Sequence, residues 1–254
     1  MIGYFFLVNL KKITQYKTDF LIGIIPHVVL QAIDLLFIKT IFSSVGTVRG
    51  WHADELFLIY GLFTLNFGFF SLIFGNLNNT KYYLFSGEFD VMRLRPISSI
   101  LHIMLSSFKT QALEQILAGC IITRYAFSSL EINVGLSEII AFVIFISSGV
   151  LILGSLAIIS ISTLLITNGT FSLLTIILGF KELVKYPIDI FAKPIRQALT
   201  WFIPLALVSY YPAVYFLGKK SFSILICIII ALVLFTISVA IYRICLKKYN
   251  GLSS

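Results

Sequence analysis

The densest set of chemically capable side chains lies at residues 76–96. There Glu88, Asp90, Arg93 and Arg95 fall within eight residues after Gly87, and Pro96 closes the run. Their order suits a short helix: Gly87 permits a sharp turn, Glu88 and Asp90 match the positive amino end, and Arg93 and Arg95 match the negative carboxyl end. Phe89, Met92 and Leu94 would give that helix an apolar side. The chemistry is docking, since an amphipathic helix charged at both ends fits a groove on a soluble partner. The alternative is a solvated loop.

A second set is dispersed through apolar sequence: His27, Gln31, Asp34 and Lys39, then Asn66, then His102, Lys109 and Glu114. At membrane depth each ionised group costs roughly 2.5–3.5 kcal/mol, so these side chains should face protein or water. Asp34 and Lys39 are five residues apart, as are Lys109 and Glu114, whereas helix neighbours are three or four apart. Their partners are therefore expected on other helices. Asp34, Asn66, Lys109 and Glu114 could line a substrate path or carry protons; the alternative is structural pairing or snorkelling.

No catalytic constellation is legible, because neither H-E-x-x-H nor G-x-S-x-G occurs and there is no metal-ligand cluster. Gly218-Lys219-Lys220 resembles the end of a phosphate loop, but the hydroxyl residue and the earlier glycine are missing, so this chain is not expected to bind ATP. The cysteines Cys120, Cys227 and Cys245 lie in or at the end of apolar runs and read as small fillers. Asn78-Asn79-Thr80 and Asn168-Gly169-Thr170 match the glycosylation pattern.

The elements that must position these residues follow from composition. Of 254 residues only 12% are charged, 59% are hydrophobic and the mean hydropathy is +1.00. A soluble domain carries about 25% charged residues. The net charge of +8 is spread over isolated or paired basic residues, which excludes a nucleic-acid stripe. Windows of about 20 apolar residues fall near 20–44, 54–78, 98–126, 137–166, 168–191 and 222–245. These predict an all-α, polytopic membrane protein with six transmembrane helices in one domain over 1–254, because a helix satisfies its own backbone in lipid. Residues 1–19 read as an interfacial helix, with simple extension of the first crossing as the alternative. No cleavage site follows Lys11 and Lys12, so the first helix is expected to be retained.

Residues 195–217 are too short and too broken for a plain crossing. Pro204 and Pro212 interrupt them, and a re-entrant pair of short helices, with Ser209 near the turn, is expected. A seventh crossing is the alternative. Basic residues divide almost evenly between the two sides, so charge bias only weakly favours cytoplasmic termini.

The run Phe85-Ser86-Gly87-Glu88-Phe89-Asp90-Val91-Met92-Arg93-Leu94-Arg95-Pro96 acquires a further meaning beside Lys185-Tyr186-Pro187-Ile188-Asp189-Ile190-Phe191 and the Phe202 to Pro212 segment. Together these resemble permease subunits of the type-2 ABC exporter class, and in particular a bacterial branch with Gly-Glu-hydrophobic-Asp and Leu-Arg-Pro after the second helix. The resemblance implies that 80–97 is a cytoplasmic coupling segment, in which Gly87, Glu88, Phe89, Asp90, Arg93, Leu94, Arg95 and Pro96 contact an ATPase. It also implies a re-entrant element on the outer side, a location in the cytoplasmic membrane, and ATP and Mg held by a separate ATPase subunit. A second permease, identical or a sister chain, would complete the assembly through the first and fifth helices. An amphipathic or hydrophobic cargo is expected, its identity unreadable. An ion-coupled secondary transporter using Asp34, Lys109 and Glu114 is the first alternative, and a membrane-embedded enzyme or immunity-type binding protein the second.

Overall fold

The computed structural model describes residues 17–107, 109, 111–219 and 223–249. All but the last three residues of the expected interfacial helix at 1–19 lie outside them. Helices dominate, and among the described residues the only β pairing is an isolated bridge between Val48 and Trp51.

Among the described residues four helices are long and apolar enough to cross a membrane: α1 (Lys17–Val45, in its part Gly23–Val45), α2 (Ala53–Ile73), then Leu136–Ile166 and Ile224–Lys248. A bent pair would make five if counted as one span. Between α2 and Leu136–Ile166 come a 3-10 turn (Gly75–Asn79), α3 (Thr80–Phe85), α4 (Glu88–Arg93), α5 (Ser99–Ser106) and α6 (Gln111–Ser129). Leu136–Ile166 is α7. It is followed by α8 (Leu173–Phe180), 3-10 turns at Lys181–Lys185 and Ile188–Ile190, α9 (Lys193–Gln197), a π turn at Ala198–Phe202, a 3-10 turn at Leu205–Leu207, α10 (Tyr210–Phe216) and finally α11, Ile224–Lys248.

Two of the six expected crossings are therefore not single helices. The 98–126 window is split between α5 and α6, and α6 carries Glu114 and Arg124, which dilute its apolar character. The 168–191 window holds only the eight residues of α8 before the chain tightens into 3-10 turns ahead of Pro187. Proline offers no amide hydrogen and disfavours helical backbone in the residue before it.

The core is built around α2, which is buried along most of its length between α6 and α7. Close approach of α2 and α6 requires small residues. A Cβ on Gly61 would lie 2.9 Å from the Thr123 amide nitrogen, and one on Gly119 would lie 2.7 Å from that of Leu65. Without a hydrophobic drive between helices in lipid, such backbone contact is a main source of attraction. α7 packs along α11, while α1 and α11 leave most of their apolar surface exposed, as lipid-facing helices do. At the start of α2, the Glu55 carboxylate accepts from the His52 amide (2.9 Å), occupying an otherwise unpaired donor.

Contacts between loops define two ends of the bundle. At one end the Phe85 ring lies against Gly169, and Tyr249, just past the end of α11, reaches α4. At the other, Arg49 donates to the Asp189 carbonyl (2.7 Å), and Lys219 pairs with Glu55 (2.6 Å) and donates to the Gly50 carbonyl (3.0 Å).

Candidate functional site

The charged run after α2 folds as two short helices joined by Gly87, whose φ of 74° is the left-handed turn that glycine adopts most readily. The segment is anchored upstream by Asn76. Its amide donates to the Ile103 carbonyl (2.5 Å) and to Ser106, while its oxygen accepts from Asn79 (2.7 Å) and Ser107 (3.1 Å). This ties the 3-10 turn to α5.

Within α4, Glu88 and Asp90 occupy the first turn and Arg93 the last. Phe89 and Met92 are buried, so they bind the helix to its own protein; Leu94, 88% exposed, points away, as do Val91 and Phe85. Arg93 pairs with Asp90 (3.7 Å), donates to the Tyr249 carbonyl (3.4 Å) and lies 5.3 Å from the centre of the Tyr249 ring. Phe89 meets that ring edge to face at 5.6 Å. Arg95 donates to the His102 ring nitrogen (2.6 Å), which closes the segment onto α5. Pro96 is exposed between Arg95 and the α5 cap Ser98. Tyr249 was missed by sequence reasoning, since nothing local marks a tyrosine 156 residues from its partner.

The four polar residues expected along a path do not stay together. Asp34 accepts from Tyr60 (3.0 Å) and pairs with Lys185 (2.8 Å), which also pairs with Glu182 (2.6 Å). Glu114 accepts from Gln31 (2.9 Å). Asp34 and Gln31 line one cavity of about 190 Å³ between α1, α2, α6 and the Lys181–Lys185 turn. Asn66, in contrast, is fully buried, donates to the Leu62 (3.1 Å) and Val208 (2.8 Å) carbonyls, and fastens α2 to the Leu205–Leu207 turn. Lys109 packs its aliphatic stem over Gly75 at the α5–α6 break. Lys185 entered the sequence reading only as the start of the Lys185–Phe191 motif, and Glu182 and Tyr60 were not singled out; their surroundings gave no sign of the contact.

At the opposite end, the segments Lys193–Phe202 and Leu205–Phe216 meet at 77°. The break is at Pro204. Pro212 sits in the first turn of α10, where its missing amide hydrogen costs nothing, so it helps start that helix and does not end one. Ser209, buried at the α10 cap position, donates to the Val184 carbonyl (2.8 Å). The first arm is held by Arg196 to Asp189 (3.3 Å), and Tyr210 of the second arm also donates to Asp189. After the second arm, Lys219 sits 4.0 Å from the centre of the Trp51 ring.

An all-helical bundle with membrane-length apolar helices, an exposed charged double turn at one end and a broken helix pair at the other defines a multi-pass membrane protein. Residues 28–253 match the family model of ABC-2 family transporter proteins, and the chain belongs to that family, as an ABC-2 type permease. No curated protein and no solved structure matches it.

Proposed function

We propose that this chain is the membrane-spanning subunit of an ATP-driven exporter, in which residues 80–97 take up the motion of a separate cytoplasmic ATPase. ATP and Mg belong to that ATPase. Family membership supports the class, and the observation that carries the mechanism is the build of α4: one side, Phe89 and Met92, is fixed in the bundle, while Leu94 and Val91 stand free for a partner. Arg93 then acts within the chain, joining α4 to α11 through Tyr249, so a push on α4 is delivered to a full-length helix.

Six crossings are the topology that best fits the two ends. The chain passes from Gly169, beside Phe85, to Asp189, beside Arg49, so residues 168–191 would cross as a broken helix. α5 with α6 would make another. The bent pair would be re-entrant, since Arg196 before it and Lys219 after it are tied to the same end. Tyr249 beside α4 supports a C-terminus on the coupling side, with both termini in the cytoplasm of a cell whose cytoplasmic membrane holds the protein. A second permease, identical or a sister chain, would close the path, and membrane lipid would cover the exposed faces of α1 and α11.

Co-purification with the cognate ATPase tests the reading. Burying a leucine contributes about 1.5–3 kcal/mol, so Leu94→Asp should lower recovery of the ATPase tenfold or more while membrane insertion is unchanged. Full recovery with Leu94→Asp would remove α4 from the interface.

A further inference from the structure

A groove of about 500 Å³ opens where α1 meets α2 and α6, and it shares no lining residue with the Asp34 cavity. Its lining is sorted by depth. Lys39, Phe57 and Tyr125 stand within two turns of the helix ends near Arg49, since α6 runs antiparallel to α2, whereas Leu35 and Ala32 of α1 and Ile121 of α6 lead toward the bilayer centre. From Lys39 to Ala32 the groove follows α1 for about 10 Å, which fits inside one leaflet of roughly 15 Å. Lys39 is the only charged residue in it, and among the described residues no carboxylate pairs with Lys39. Asp34, on the same helix, is taken by Lys185 (2.8 Å). Snorkelling relieves Lys39 poorly, because a helical Cα–Cβ bond tilts toward the amino end, which in α1 is away from the nearer interface. At the same level α6 exposes Arg124, and α2 carries Asp54 one turn before Phe57, neither of them in an ion pair; Glu55, Glu131 and Glu138 line a different pocket, against Phe216. Two cations against one carboxylate leave one positive charge to be met.

We propose that this groove binds an anionic phospholipid from the leaflet opposite the coupling end, one acyl chain lying along Leu35 and Ile121 and the phosphate meeting Lys39 and the Tyr125 hydroxyl. The inference goes beyond the export reading and does not depend on it. Polar groups at one end and apolar side chains below them repeat the order of head and tail in the lipid. Tyr125, 56% exposed and set edge to face on Phe57 at 5.9 Å, belongs to the aromatic residues that favour headgroup level. A single phosphodiester charge balances the local excess, while a zwitterionic head would bring a further cation beside Lys39 and Arg124. Bound there, the lipid braces α1, little of which is buried, against α2 and α6.

The test is thermal unfolding of the purified, delipidated permease in a nonionic detergent, with phosphatidylglycerol or phosphatidylcholine added. A lipid that binds the folded state raises the midpoint as its concentration rises. Phosphatidylglycerol should do so saturably, at a concentration about tenfold or more below that of phosphatidylcholine. Lys39→Ala should abolish this preference and Lys39→Arg should keep it. Ala32→Trp, which fills the deep end and leaves the charge, should weaken phosphatidylglycerol. Lys247→Ala, at the other end of the bundle, should leave the preference intact, which separates the groove from general attraction to a chain of net charge +8. An unchanged preference in Lys39→Ala, as for a lysine that only snorkels, overturns the proposal, and so does an equal loss in Lys247→Ala. A fall in oligomer mass by light scattering in Lys39→Ala, independent of added lipid, would assign the groove to a second copy of the chain and likewise overturn it.

Discussion

Arg93 illustrates how much a single residue's meaning depends on a distant one. From the sequence it is a charge free to meet a partner; in the fold it is occupied by Asp90 and by the carbonyl and ring of Tyr249. The Tyr249 ring is buried while the Arg93 head is partly exposed; a cation over a ring contributes about 0.5–1 kcal/mol at exposed sites and about 2 kcal/mol when desolvated, and an edge-to-face pair about 0.5–1.5 kcal/mol. A double-mutant cycle between Arg93→Ala and Tyr249→Ala should therefore give a coupling energy near 1 kcal/mol in denaturation, and the singles should retain the ATPase yet lose much of the transport. Tyr249→Phe, which keeps the ring and the carbonyl, should retain the coupling to Arg93. Additive singles would mean that the contact has no energetic content. Gly87 and the acidic first turn of α4 were legible because local backbone and dipole rules set them. The Tyr249 contact was not, since no local rule reaches across the chain.

At the scale of elements, apolar length located α1, α2, α7 and α11 well, as the long helices have no competitor for their backbone hydrogen bonds in lipid. It failed where the chain breaks inside an apolar window. The α5–α6 break and the turns after α8 depend on tertiary partners such as Asn76 and Val184, which hydropathy does not weigh. The proline-broken pair was legible as an interruption, though the role of Pro212 in starting α10 came from the structure. In a chain freed of Cys120, Cys227 and Cys245, Arg196→Cys and Lys219→Cys should both react with an impermeant thiol reagent from outside the cell. Labelling from opposite sides would make the bent pair a crossing.

The whole molecule joins these parts into a line of contact. An exposed face of α4 stands at one end, Phe89 and Arg93 bind α4 to Tyr249, and α11 packs along α7, which borders α2 at the centre. Rigid helices in such a chain can carry a displacement from the coupling end toward the cavity between α1, α2 and α6, provided the contacts are discrete. Composition predicted the membrane and the motif resemblance predicted the family, while the path between the two ends exists only in three dimensions. Its entry point is the claim on which the rest depends. The most direct measurement places a photo-crosslinking residue at Leu94, 88% exposed, and another at Ile226 near the opposite end of α11, in the permease assembled with its ATPase. The account predicts an ATPase adduct from position 94, stronger or weaker with nucleotide, and none from 226. An assembled complex that yields no adduct at 94 would contradict it.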